Sequence, residues 1–142
     1  MLGYSLRLIR TTLQSTVRSR VGYFEESVVP MRVWPADVDT WGHMNNGRYL
    51  TVMDLGRTDW AVRTGMMRVW LREGWAPILG GATIRYRRIL RPLRRYELRT
   101  RLVGWDDKWF YYQQRFTRHD RDYAVALAKG LVRHHGELVT PG

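Results

Sequence analysis

The spacing of hydrophobic positions changes along the chain, and each change predicts an element. From Tyr23 to Trp34 (YFEESVVPMRVW), valines and aromatic residues dominate, which predicts a first strand. Pro30 has no N–H to donate, so this strand belongs at a sheet edge or bulges there, and Pro35 helps to end it. From Asn46 the period becomes three and four. Tyr49, Val52, Met53, Gly56 and Trp60 share one face, widened by Leu50 and Leu55. That predicts a helix over 46–63, ending near Gly65 and about 27 Å long. Gly56 costs roughly 0.5–1 kcal/mol inside a helix, and close approach of another backbone is the expected compensation. Met66–Ala76 predicts a short second helix before Pro77. Four strands follow: Ile78–Leu90, Arg95–Trp105, Lys108–His119 and Tyr123–His134. Asp106-Asp107, and the stretch from His119 to Asp122, are short enough for hairpins, and Pro92 marks the turn between the first two strands. The expected architecture is therefore α+β, a long helix covering a curved antiparallel meander.

The ends read differently. Leu2, Leu6, Ile9 and Leu13 recur at helical spacing among Arg7, Arg10 and Arg18. Residues 1–20 are expected to be a basic arm or amphipathic helix, either packed on the domain, in peripheral contact with a membrane, or serving as a targeting peptide. Residues 21–137 form one expected domain and 138–142 a tail.

Composition narrows the function classes. At 142 residues and 44% hydrophobic, with seven Trp, the chain has the makings of one folded domain. It has no cysteine, which excludes disulfide and thiolate chemistry. It contains no apolar run long enough for a spanning helix, and a cytoplasmic location is expected. The net charge is +11, and Lys108 and Lys129 are the only lysines. Residues 1–20 carry four arginines and no acid; residues 85–101 carry eight arginines against Glu97 alone. Such a balance suits nucleic acid, an anionic surface or an anionic small substrate. The arginines alternate with aromatics inside predicted strands and no nucleic-acid motif is present, so nucleic acid is not the expected partner. Trp105 and Trp109 either pack on the sheet or need a partner surface.

The chemistry concentrates in DVDTWGHMNNGRYL, Asp37–Leu50, just ahead of the long helix. Asn45 or Asn46 can cap that helix, whose first N–H groups and dipole favour negative charge. Such a terminus can polarise a carbonyl, and a neighbouring carboxylate can attack it or activate water. Gly42 would let the backbone approach a ligand. A simple capped turn is the bland alternative. A metal site built from Asp37, Asp39 and His43 lacks further ligand spacing among His119, His134 and His135, so neither a metal nor a cofactor is expected.

The run from Asp39 to Tyr49, in the form D-x-x-G-H-x-N-N-x-x-Y, resembles the signature of the hotdog-fold acyl-CoA thioesterases of the 4-hydroxybenzoyl-CoA type. The resemblance extends from about Tyr23 to His134, with Ile84–Ile89 and Leu102–Tyr112 matching the family's sheet pattern. It implies that Asp39 is nucleophile or general base. Gly42 to Asn46 would form the turn onto the central helix, whose N–H groups polarise the thioester carbonyl, with His43 and Asn45 holding that turn. Tyr49 would face the core or acyl site. Asp37, two residues before Asp39, could share its side. Arg85, Arg87 and Arg88 are candidates for the anionic substrate, whether acyl-CoA or a carrier-bound thioester. Met53, Trp60, Met66 and Met67 are candidates for an acyl pocket or for plain core. The resemblance also implies a homodimer or homotetramer with sites across the interface. The competing expectations are a non-catalytic acyl-CoA-binding or structural hotdog protein and, third, a dehydratase of this fold.

Overall fold

The computed structural model describes residues 2–141. The side chain of Leu2, first of the apolar row expected in the N-terminal segment, and Gly142, at the end of the expected tail, lie outside the described residues. The chain forms α1 (Leu2–Val17), β1 (Ser27–Arg32), a short 3-10 turn (Pro35–Asp37), α2 (Asn46–Thr64), α3 (Met66–Glu73), β2 (Ala76–Tyr86), β3 (Arg95–Trp105), β4 (Phe110–Arg118), β5 (Arg121–His134) and β6 (Glu137–Val139). None of these helices is long and apolar enough to cross a membrane.

All strand pairs are antiparallel, in the order β1-β3-β4-β5-β2, with β6 also on β5. This corrects the expected meander at one point. β2 does not pair with β3; it lies on the far edge beside β5, with Ile84 opposite Ala126. The connection after β2 explains why. Leu90 is 1% exposed and its carbonyl takes the Met44 N–H at 2.9 Å, while Leu93 and Arg94 bond Val33. The connection is thus tied to the segment after β1, and β3 leaves it alongside β1. β2 also stops at Tyr86, because the N–H groups of Arg87 and Arg88 both turn to the Tyr123 carbonyl. β6 takes in residues 138 and 139 of the expected tail.

β1 is shorter than the expected Tyr23–Trp34, and among the described residues it is an edge strand as Pro30 requires, pairing only with β3. The His119-Asp120 turn between β4 and β5 holds both residues at positive φ, 51° and 59°, which suits a two-residue hairpin. Trp105 stacks on Phe24 with centroids 6.0 Å apart yet stays half exposed. Trp109 covers Gly80, where any Cβ would collide with the indole, and Lys129 Nζ lies 4.6 Å from its ring.

The core lies between α2 and the sheet. Tyr49, Val52, Met53 and Trp60 meet Leu98, Tyr112 and Phe116. At Gly56 it is side chains of the sheet, not another backbone, that come close. A Cβ there would sit 2.5 Å from Leu98 Cδ2 and 2.8 Å from Thr100 Oγ1. Gly56→Ala should therefore destabilise by about 1–3 kcal/mol in urea unfolding, although alanine is the better helix former by about 1 kcal/mol.

α1 packs on α2 through buried polar groups. Asp59, 0% exposed, accepts from Ser15 Oγ and from Arg18 Nη1 at 3.1 Å, and pairs with Arg63 Nη1 at 3.2 Å. Leu6, Ile9 and Leu13 face outward at 59%, 57% and 64% exposure.

Burial raises three core phenols. Tyr49 and Tyr112 are pushed up from 10.0 to about 12, and Tyr96 higher still. The folded state thus prefers the neutral phenol. Its stability is intact below pH 10, where the unfolded tyrosines are also neutral, and falls as pH rises from 10 through 12. The loss should be about 1.4 kcal/mol per pH unit for each such tyrosine within that window. Urea midpoints measured across pH 9–12 check this, and Tyr112→Phe should flatten the decline.

Candidate active site at the head of the central helix

Three local devices build the turn before α2. Val38 bridges Met44, and the Asp39 N–H bonds the His43 carbonyl at 3.0 Å, closing a tight loop. Within it the Gly42 N–H returns to the Asp39 carbonyl at 3.2 Å. Gly42 has φ +80°, and nothing lies within 4 Å of where a Cβ would stand. The left-handed backbone conformation by itself favours glycine here. Asn45 caps the helix, its Oδ1 accepting from the Gly47 N–H at 2.8 Å. Of the two candidate caps it is Asn45 that serves, and Asn46 is the first helical residue.

The two acids have different environments. Asp37 is 1% exposed; Arg7 of α1 holds its Oδ1 at 2.8 Å and the Trp34 N–H holds Oδ2 at 3.1 Å. Its carbonyl takes the Asn45 N–H at 2.7 Å. Asp37 thus ties α1, the turn and the helix cap together. Asp39 has a side chain 21% exposed. Its Oδ1 accepts the Trp41 N–H at 2.9 Å, which fixes the carboxylate in an Asx turn. Oδ2 lies 3.9 Å from His43 Nδ1, beyond hydrogen-bond reach.

Beside this turn is a cleft of about 240 Å³, lined by His43, Met44, Asn46, Tyr49, Tyr86, Arg87, Arg88 and Ile89. Tyr49 contacts Tyr86 and Phe116 edge-on, each with centroids 4.9 Å apart. Its raised pKa, from burial first and the neighbouring Tyr86 second, keeps its hydroxyl protonated as a donor.

The cleft brings together His43, Asn46, Tyr49, Arg87 and Arg88 of the expected site. Five others do not line it. Met53 is 0% exposed within the core. Arg85 is exposed on β2 between Ile84 and Tyr86, so strand alternation turns it to the opposite face. Asp39, Gly42 and Asn45 frame the turn without lining the cleft of this one chain. Tyr86 and Ile89 were not anticipated, although the alternation Ile84, Arg85, Tyr86 signals that Tyr86 faces the helix. Trp60 and Met66 line a separate apolar pocket of about 360 Å³, together with Trp70, Trp75 and Trp105. Trp60 lies 14 residues along α2 from Asn46, about 21 Å from the cleft end. Met67 packs against the core.

A curled antiparallel sheet around one long helix, with this turn at the helix head, is a hotdog fold. The chain belongs to the thioesterase-like superfamily, whose family model matches residues 33–136. It is 43% identical over 103 residues to Protein THEM6 of Xenopus laevis, an alignment covering 72% of this chain and 49% of that protein. The chain spans about half the length of the THEM6 proteins it matches. Two solved hotdog structures share the fold. The YbaW probable thioesterase of Escherichia coli superposes with a TM-score of 0.75 at 19% identity, over 80% of this chain and 88% of that one. A gentisyl-coenzyme A thioesterase superposes at 0.70 and 19%, over 80% and 92%.

Proposed function

We propose that this chain hydrolyses acyl-CoA thioesters at the head of α2. The observation that carries the reading is Asp39: a carboxylate fixed through Oδ1 by the Trp41 N–H, with Oδ2 left outside hydrogen-bond reach of His43, a few residues ahead of a helix N-terminus. The thioester carbonyl would lie in the cleft. Asn45 already occupies the N–H groups of Gly47 and Arg48, which leaves the role of oxyanion donor to the Asn46 N–H. Asp39 Oδ2 attacks the carbonyl carbon, giving an acyl-aspartyl anhydride that water then hydrolyses to free the acid and restore Asp39, or takes a proton from water that attacks directly. In either route the C–S bond breaks and the CoA thiolate leaves. A thiol near pKa 8.5 leaves without a strong acid to protonate it. Arg87 and Arg88, at the rim, would meet the phosphates.

A second copy is part of this reading. β2 ends the sheet, and its Ile78, Leu79 and Tyr86 are each more than 40% exposed. Pairing two β2 edges would remove an open ladder and bring a partner's surface towards the cleft. Asp39 lies outside the single-chain cleft, and completion by a partner accounts for that. The same fact favours one alternative, an acyl-CoA-binding protein without turnover.

A thiol-release assay over aryl, short, medium and long acyl-CoAs tests the proposal. Release of CoA above background from at least one class is expected. Binding of acyl-CoA with no release from any class would select the alternative.

A further inference from the structure

A groove of about 640 Å³ lies away from the cleft, between α1 and the β1 edge of the sheet. Arg10 of α1, Arg32 at the end of β1, Arg95 of β3, and Arg118 with His119 at the end of β4 line it. Arg7 and Arg18 line it too, but Asp37 and Asp59 neutralise them. Among the described residues, Arg10, Arg32, Arg95 and Arg118 have no carboxylate within ion-pair distance. The one acid in the lining, Glu97, is held by Arg99 at 3.0 Å. Four uncompensated guanidinium groups around one groove form a site for an anion with several oxygens.

The surface next to the groove identifies the source of that anion. Leu6, Ile9 and Leu13 form an outward apolar row on α1, each more than half exposed. At 100° per residue they span about 60° of the helix surface. Arg10, one helical turn on from Leu6, is exposed and belongs to the groove lining, so the apolar row adjoins the basic groove. A helix with an apolar stripe beside arginines is the arrangement that lies in the plane of an anionic lipid surface. β1 is the sheet edge opposite β2, so a dimer formed through β2 leaves this face clear.

We propose that the α1–β1 groove binds the phosphate headgroup of an anionic lipid while Leu6 and Ile9 enter the bilayer surface, docking the protein on a membrane independently of its thioester site. Arg10, Arg32 and Arg118 contact phosphate oxygens.

Co-sedimentation of the whole chain with vesicles tests this. Phosphatidylcholine vesicles containing phosphatidylserine should pellet the protein, and phosphatidylcholine alone should pellet little. Binding should weaken steeply as sodium chloride is raised. Arg10→Gln with Arg32→Gln should bind roughly thirtyfold more weakly. Leu6→Gln with Ile9→Gln should also lose binding, with an unchanged thermal midpoint in both pairs. Equal pelleting by both vesicle types, binding of the wild type indifferent to salt, or charge variants that bind like the wild type would overturn the proposal. Binding of soluble glycerol phosphate without vesicle binding would also overturn it, assigning the groove to a free phosphate compound.

Discussion

Asp39→Asn should lower kcat for thioester hydrolysis by roughly 10²–10⁴-fold, the range for removing a positioned acid–base group. The thermal midpoint should stay that of the wild type. The separation follows from the two oxygens. Oδ1 serves the fold by accepting the Trp41 N–H at 2.9 Å, and an asparagine amide oxygen can do the same. Oδ2 makes no bond of that kind within the turn, and the charge it carries is what the reaction needs. Asp39→Ala would lose both functions, and should add about 1 kcal/mol of destabilisation to the loss of turnover. Parallel kinetics and thermal unfolding of the two variants check the separation. A large drop in midpoint for Asp39→Asn would mean the charge is structural.

The largest effect on stability should come from Asp59→Ala, about 3–5 kcal/mol in urea unfolding. Asp59 is fully buried and receives Ser15, Arg18 and Arg63. Removing it leaves Arg63, whose side chain is 9% exposed, without its carboxylate, although Arg63 keeps the Ser19 and Val28 carbonyls. An uncompensated guanidinium in that position costs more than the pair contributes when intact. α1 also loses its polar attachment to α2, so the helix should become the first element exposed to proteolysis. A loss below about 1 kcal/mol would show that α1 is held chiefly by apolar contact.

Periodicity located α2 to within a residue at each end, because a stripe of Tyr49, Val52, Met53, Gly56 and Trp60 admits only one period, and Gly65 adopts the left-handed cap that ends it. The pairing of β3, β4 and β5 was legible for a similar reason: their connections are too short for anything but hairpins. The position of β2 was not. Strand-like residues run on to Leu90, which leaves four residues before Arg95 and suggests a hairpin, but β2 ends at Tyr86 and the longer connection is placed by long-range bonds of Leu90, Leu93 and Arg94. At Gly56 the expected close approach of a backbone is replaced by the side chains of Leu98 and Thr100, which sequence could not place there. At the site, the turn residues were legible as a motif. The partition of the two acids was not, since Asp37 is claimed by Arg7 thirty residues upstream. The basic groove was equally hidden, because its arginines come from α1, β1, β3 and β4.

The central claim is that the head of α2 hydrolyses thioesters through Asp39. Its most direct test is the rate of CoA release from the best acyl-CoA of the panel, measured side by side for the wild type and folded Asp39→Asn. Turnover by the wild type, with the variant near background, is the predicted result. Equal rates for the two proteins would contradict it.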